Sequence, residues 1–178
     1  MRTRKDLAEA ARRAALQPFH GCLQGEESNL EPIISLFPKW SVQQADGLWC
    51  AAFVYYCCLL AGFDFPYSPS SCVSCSLAGC GGWEGLALGD SQIAYHRRGE
   101  RDFVPQAGDM VLYDRGFNGQ EHDHIGVGLE ASDGGRVAAE GNVPGKNCSG
   151  LVRRRRDEHI RAYIRIPDGY RYEEDSET

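Results

Sequence analysis

The sequence predicts an α+β domain, with helices in its first half and an antiparallel sheet in its second. Three observations predict it. Up to about residue 95, apolar residues recur at helical spacing or in runs too long for a strand. Beyond residue 105 they fall into short or alternating runs. Clusters of Gly, Asp and Asn separate those runs, as tight turns between strands require. A chain of 178 residues that is 42% hydrophobic and 25% charged is the size of one domain and long enough to bury a core.

Leu7, Ala10, Ala11, Ala14 and Ala15 lie on one helical face, so a helix is expected over 4–16, closed by Pro18. Asn29 is a good N-cap for a second, short helix through Pro32, Ile33, Ile34, Leu36 and Phe37, ended by Pro38. The third helix, 49–60, is apolar on every side and must run through the core. Asp46 and Gly47 precede it as start signals and Gly62 ends it. Residues 64–70 read as a turn-rich connection, and 71–95 as a further helix broken around Gly79, Gly81 and Gly82. Strands are expected at 110–113, 125–129, 136–139, 151–155 and 160–166. One domain over 1–170, with 1–28 as an N-terminal helical extension, leaves 171–178 as an acidic disordered tail.

Charge excludes some functions. With 19 Lys and Arg against 25 Asp and Glu, the net charge of −6 offers no positive field for a nucleic acid. No apolar run reaches the 18 or so residues of a membrane span. The N-terminus mixes Ala and Leu with charge and so lacks the apolar segment of a signal peptide. The expectation is a chain that is cytoplasmic as synthesised, with its eight cysteines reduced.

Cys50 falls at the start of the apolar helix, where unpaired amides and the helix dipole favour a thiolate, whereas Cys57 and Cys58 lie deeper as core thiols. A thiolate nucleophile needs a base. His124 opens the strand HIGVGLE, with Gly126 leaving room beside it, and His122 shares its face only if the strand begins earlier. A third group fixes the tautomer of such a base. Glu140 and Asn142 in EGN share a face by the two-residue strand period, and either could orient His124.

The order of Trp49-Cys50-Ala51-Ala52-Phe53-Val54, Pro105-Gln106-Ala107-Gly108-Asp109-Met110-Val111-Leu112-Tyr113, His124-Ile125-Gly126-Val127 and Glu140-Gly141-Asn142 resembles the CHAP amidase/peptidase family of NlpC-like cysteine hydrolases. The resemblance covers roughly residues 30–166. It implies a papain-like fold, with Cys50 as nucleophile, His124 as general base and Glu140 or Asn142 as orienter. It implies hydrolysis of an amide in peptidoglycan, either the N-acetylmuramoyl-L-alanine link or a bond of the stem peptide or cross-bridge. Asp109 is expected to close the turn into a strand. Some members carry a calcium-binding acidic loop before the nucleophile; residues 23–47 hold Glu26, Glu27, Glu31 and Asp46 without the alternating Asp pattern, so no calcium is expected. Without an export signal or a wall-binding module, three roles stay open: a lysin released through a pore, a delivered toxin, or an intracellular peptidase or deamidase. A noncatalytic binding module of the same fold is the alternative outside enzymology.

Cys72, Cys75 and Cys80 form C-x2-C-x4-C and, with Cys148 or His96, could supply zinc ligands. No matching second pair follows, so thiols buried or lining a cleft are expected, and no cofactor or metal. Arg153 to Arg156, followed by Asp157 and Glu158, reads as a solvated edge strand and its turn rather than an anion site. Tyr55, Tyr56, Tyr67, Trp83 and Tyr95 are candidates for cleft walls. The expected partner is peptidoglycan or another peptide amide, with no nucleic acid and no membrane.

Overall fold

The computed structural model describes residues 1–22, 26–72, 75–132, 135–155 and 159–174. Five helices precede or flank a six-stranded antiparallel sheet. Helix α1 is Arg4–Leu16, and Thr3 starts it with a capping box: its hydroxyl accepts from the Asp6 amide, and the Asp6 carboxylate accepts from the Thr3 amide. Its small apolar face lets it lie close over α4 and over the β3–β5 part of the sheet, with Leu7, Ala11 and Ala14 fully buried.

Helix α2 is Glu31–Ile34, and α3 is Val42–Ala45. Asn29 does not cap α2. Its side chain accepts from the His20 amide at 2.7 Å and donates to the Pro18 carbonyl at 2.6 Å, tying two loop segments together, and Leu30 takes the cap position. The α3 turn carries its own capping box, Ser41 with Gln44. Helix α4, Cys50–Leu60, is the central helix, and Cys50 to Tyr55, Cys57 and Cys58 are all buried in it. An apolar surface on all sides needs neighbours on all sides. Helices α1, α2 and α5 and strands β3 and β4 supply them.

The helix expected over 71–95 is confined to α5, Cys80–Gly89, and the chain then turns into a strand, β1, Ala94–Arg97. Gly82 shows why the helix starts late: the Ser76 carbonyl folds back so closely that a Cβ there would lie 2.2 Å from its oxygen. The remaining strands are β2 Met110–Tyr113, β3 His124–Ser132, β4 Gly135–Glu140, β5 Gly150–Arg155 and β6 Ile160–Arg165, each within three residues of expectation. Their order across the sheet is β1-β6-β2-β3-β4-β5. Strand β2 sits inside it, between β6 and β3, and all four of its residues are buried.

Asp109 is fully buried before β2, accepting from the Gln106 amide and from two nitrogens of Arg165 on β6 at 2.8 and 2.7 Å. It closes the turn and fixes it to the sheet. At the end of the chain, Tyr172 reaches back to the Ser70 amide at 3.1 Å, so the tail is docked at least that far, and 175–178 lie outside the described residues. Among the described residues, no helix is long and apolar enough to cross a membrane.

Candidate active site

Three elements deliver the predicted residues to one place. Cys50 is the first residue of α4, His124 the first of β3 and Glu140 the last of β4. Antiparallel pairing of Val127 with Ala139 puts the start of β3 and the end of β4 side by side at the same end of the sheet. Continuing that register sets Glu140 opposite Gly126, and a Cβ on Gly126 would lie 2.8 Å from the Glu140 Cγ. The space that Gly126 leaves is therefore filled by the glutamate, whose carboxylate swings diagonally to His124.

His124 Nε2 lies 2.8 Å from Glu140 Oε2, and both side chains are buried. That contact leaves Nδ1 for the Cys50 thiol, and the ring and the thiol each favour the charged form of the other. Asn142 does not take part in this line. Its amide donates to the Gly47 carbonyl at 2.6 Å, and its φ of 49° is the left-handed conformation that Asn tolerates. Of the two candidate orienters, Glu140 makes the contact and Asn142 tethers the loop after β4 to the approach to α4.

The electrostatics run along the same line. The Cys50 thiol is held well below the ordinary range by a hydrogen bond from Cys80, whose Sγ lies 3.7 Å away. Burial opposes that effect, and His124 and the Ile125 amide reinforce it. For His124, burial alone would favour the neutral ring, but hydrogen bonds to Cys50 and Glu140 outweigh it and push the ring up to about 9. Burial likewise opposes ionisation of Glu140, yet His124 and Arg154 keep it lowered. Cys57 and Cys58 behave as core thiols, both raised by burial.

Arg154 is the main residue that the sequence did not offer. The run 153–156 was expected to be a solvated edge. Strand β5 is the edge, but its alternation turns Arg154 inward: Nε lies 2.9 Å from Glu140 Oε1 and Nη2 2.5 Å from Oε2. The guanidinium also sits over the rings of Phe117, at 4.6 Å, and Tyr113, and the Phe117 ring meets His124 edge-on. Arg153 and Arg155 point out, and Arg156, Asp157 and Glu158 lie outside the described residues.

His122 does not share the His124 face. It occupies a turn with φ of 52° before the strand, and its Nε2 meets Glu84 of α5. Glu84 also accepts from Tyr95 and from Arg161, whose other arm reaches Asp114 at 2.8 Å. Burial raises Glu84, but these partners bring it down to about 2. Asp46, expected as a start signal for α4, instead accepts from the Cys22 amide and from Asn147, which also accepts from the Trp49 indole. Helix α4 has no side-chain cap of its own.

These walls enclose an open cleft of about 830 Å³, a volume that suits a small ligand or a peptide segment. Cys50, Cys80 and His124 reach it, with Trp40, Phe117 and Lys146 among the walls. The aromatic walls are thus Trp40 and Phe117. Of the expected candidates, Trp83 is fully buried and donates to the Ala51 carbonyl, Tyr55 is a core residue bonded to the Phe65 carbonyl, and Tyr95 is held by Glu84.

The cysteine cluster splits up. The Cys72 thiol donates to the Gly82 carbonyl, while Cys80 turns to Cys50. Among the described residues no group of three or more His, Cys, Asp or Glu is placed to hold a metal ion.

The arrangement can generate a thiolate and a protonated imidazole side by side under a cleft, with a fixed carboxylate behind the imidazole. No protein-family model matches the chain, and no curated protein matches it by sequence.

Proposed function

We propose that this chain is a cysteine hydrolase of amide bonds, a CHAP-type amidase or peptidase with a papain-like fold, acting on peptidoglycan. The observation that carries the reading is the line Cys50–His124–Glu140 at the floor of the cleft, with the 2.8 Å contact fixing the ring. In this reaction Cys50 Sγ attacks the amide carbonyl carbon. The α4 amides of Cys50, Ala51 and Ala52 have no carbonyl one turn earlier within the helix, so they are available to the oxyanion that forms. His124 gives its proton to the leaving amine, and the acyl group stays on sulfur as a thioester. His124, now neutral, takes a proton from water, and the hydroxide attacks the thioester to release the acid. Glu140 keeps Nδ1 directed at sulfur throughout and stabilises each return of the ring to its cation.

Alkylation with limiting iodoacetamide from pH 4 to 9, read by mass spectrometry, tests the nucleophile. Cys50 is expected to react ahead of the other seven thiols well below the free-thiol pKa of about 8.5, and to lose that lead in His124→Ala. Equal labelling of all the thiols would instead favour a binding module that keeps the fold without the activity. Digestion of purified sacculi tests the substrate. Release of new amino groups that Cys50→Ala abolishes supports peptidoglycan, and intact sacculi from a protein that passes the alkylation test point to another amide.

A further inference from the structure

The sulfur nearest to the candidate nucleophile belongs to another cysteine. Cys50 and Cys80 are the first residues of α4 and α5, both reach the cleft, and their Sγ atoms are 3.7 Å apart. A disulfide needs about 2.05 Å between sulfurs, so about 1.7 Å of approach would bond the pair. Cys57 and Cys58, adjacent on one helix, are sealed from solvent.

We infer that Cys50 and Cys80 form a reversible modification site, in which a small hydroperoxide oxidises Cys50 and Cys80 resolves the product to a disulfide. The inference rests on the reading of Cys50 as a thiolate nucleophile, but not on which amide is cleaved.

The chemistry balances with hydrogen peroxide as the oxidant. Cys50 thiolate attacks one peroxide oxygen and the O–O bond breaks. The leaving hydroxide takes the proton of the His124 imidazolium and departs as water, leaving Cys50 as a sulfenic acid. Cys80 sulfur then attacks Cys50 sulfur, the S–O bond breaks, and the hydroxide leaves as water with the proton of Cys80. Two thiols have lost two electrons to one peroxide.

Charge orders the two steps. Cys80 is held protonated first by its hydrogen bond with Cys50, then by burial and by the charge of the Cys50 thiolate. Oxidation turns that thiolate into a neutral sulfenic acid and removes both Cys50 contributions. The resolving thiol is thereby easier to ionise when it is needed, against burial and Asp123, which remain. A disulfide here would block hydrolysis while sparing the nucleophile from irreversible oxidation.

The test uses the full chain, reduced and then treated with about one equivalent of hydrogen peroxide. The expected result is loss of two of the eight thiols, a Cys50–Cys80 cross-linked peptide by mass spectrometry, and full recovery with dithiothreitol. Cys50 found as sulfinic or sulfonic acid with Cys80 still a thiol would overturn the inference. So would a link between Cys75 and Cys80 that leaves Cys50 free. In Cys80→Ser, sulfinic acid at Cys50 is expected to accumulate several-fold faster than in the parent chain, and an equal rate would also overturn it. The peptide map of the unaltered chain decides the matter even if that variant does not fold. Loss of hydrolysis plays no part in the readout, so a failure of the substrate reading is seen separately.

Discussion

Replacing Glu140 and Asn142 separates two roles that the sequence could not, because both residues follow the same two-residue strand period. Glu140→Gln removes the charge behind the imidazole, and the rate of amide hydrolysis is expected to fall roughly 10²–10⁴-fold. Asn142→Ala removes the bond to the Gly47 carbonyl and strains a left-handed position. It is expected to cost about 1 kcal/mol of stability in chemical denaturation while leaving the shape of the pH–rate profile unchanged. Arg154 lies behind Glu140 as a positioning residue. In Arg154→Met, burial is free to raise Glu140, so the acid limb of the profile should move to higher pH and the rate fall about 10–100-fold, as when an outer partner of a functional histidine is removed. Arg154→Lys keeps the charge without the fork and should restore the limb but not the full rate. Cys50, His124 and the Glu140/Asn142 pair were legible because each left a local signature: a thiol at a helix start, a histidine opening a strand, and a carboxylate and an amide two residues apart. Arg154 was hidden in a run of four arginines whose inward member is fixed only by register with β4.

Between elements, the β3–β4 hairpin carries the alignment of the site. Glu140 is held at both ends, by His124 and by Arg154, so it cannot yield to a side chain placed on β3. Gly126→Ala is therefore expected to cost roughly 1–3 kcal/mol and to displace the carboxylate. Denaturation and the alkylation lead of Cys50 are the measurements, and an unchanged lead would show that Glu140 is not aligned through this space. The sheet strands and α1 were readable because their periodicity is strong and their turns are marked by Gly, Asp and Asn. Strand β1 was not, since AYHR is short and half-buried without alternation, and its pairing with β6 is decided far along the chain. Helix α5 was overextended for the converse reason: apolar and small residues before Cys80 have helical composition but are folded back upon Gly82.

For the molecule as a whole, the site sets a pH dependence of folding. Cys50, lowered in the folded state, contributes stability that grows with pH from that lowered value to the unfolded thiol value of about 8.5. His124, raised to about 9, contributes stability that is complete below its unfolded value of about 6.5 and is lost as pH rises through about 9. Above about 6.5 the two slopes oppose each other, so the unfolding midpoint should change little up to about 8.5, and fall beyond it as Cys57, Cys58 and Cys80, raised in the folded state, ionise only on unfolding. A steady decline through that window would mean that the histidine is raised without a thiolate beside it. Glu84 and Glu140, both lowered, add stability that is present above about 4.3 and lost as the solution is acidified. The strand order has a consequence for biosynthesis. Strand β6, the last made, inserts between β1 and β2, so on a ribosome both must wait for 160–165 to emerge before either gains that neighbour. Cys50, His124 and Glu140 are all synthesised before the sheet can close. A nascent or truncated chain ending before residue 160 should leave β1 unpaired and one edge of β2 open, and aggregate.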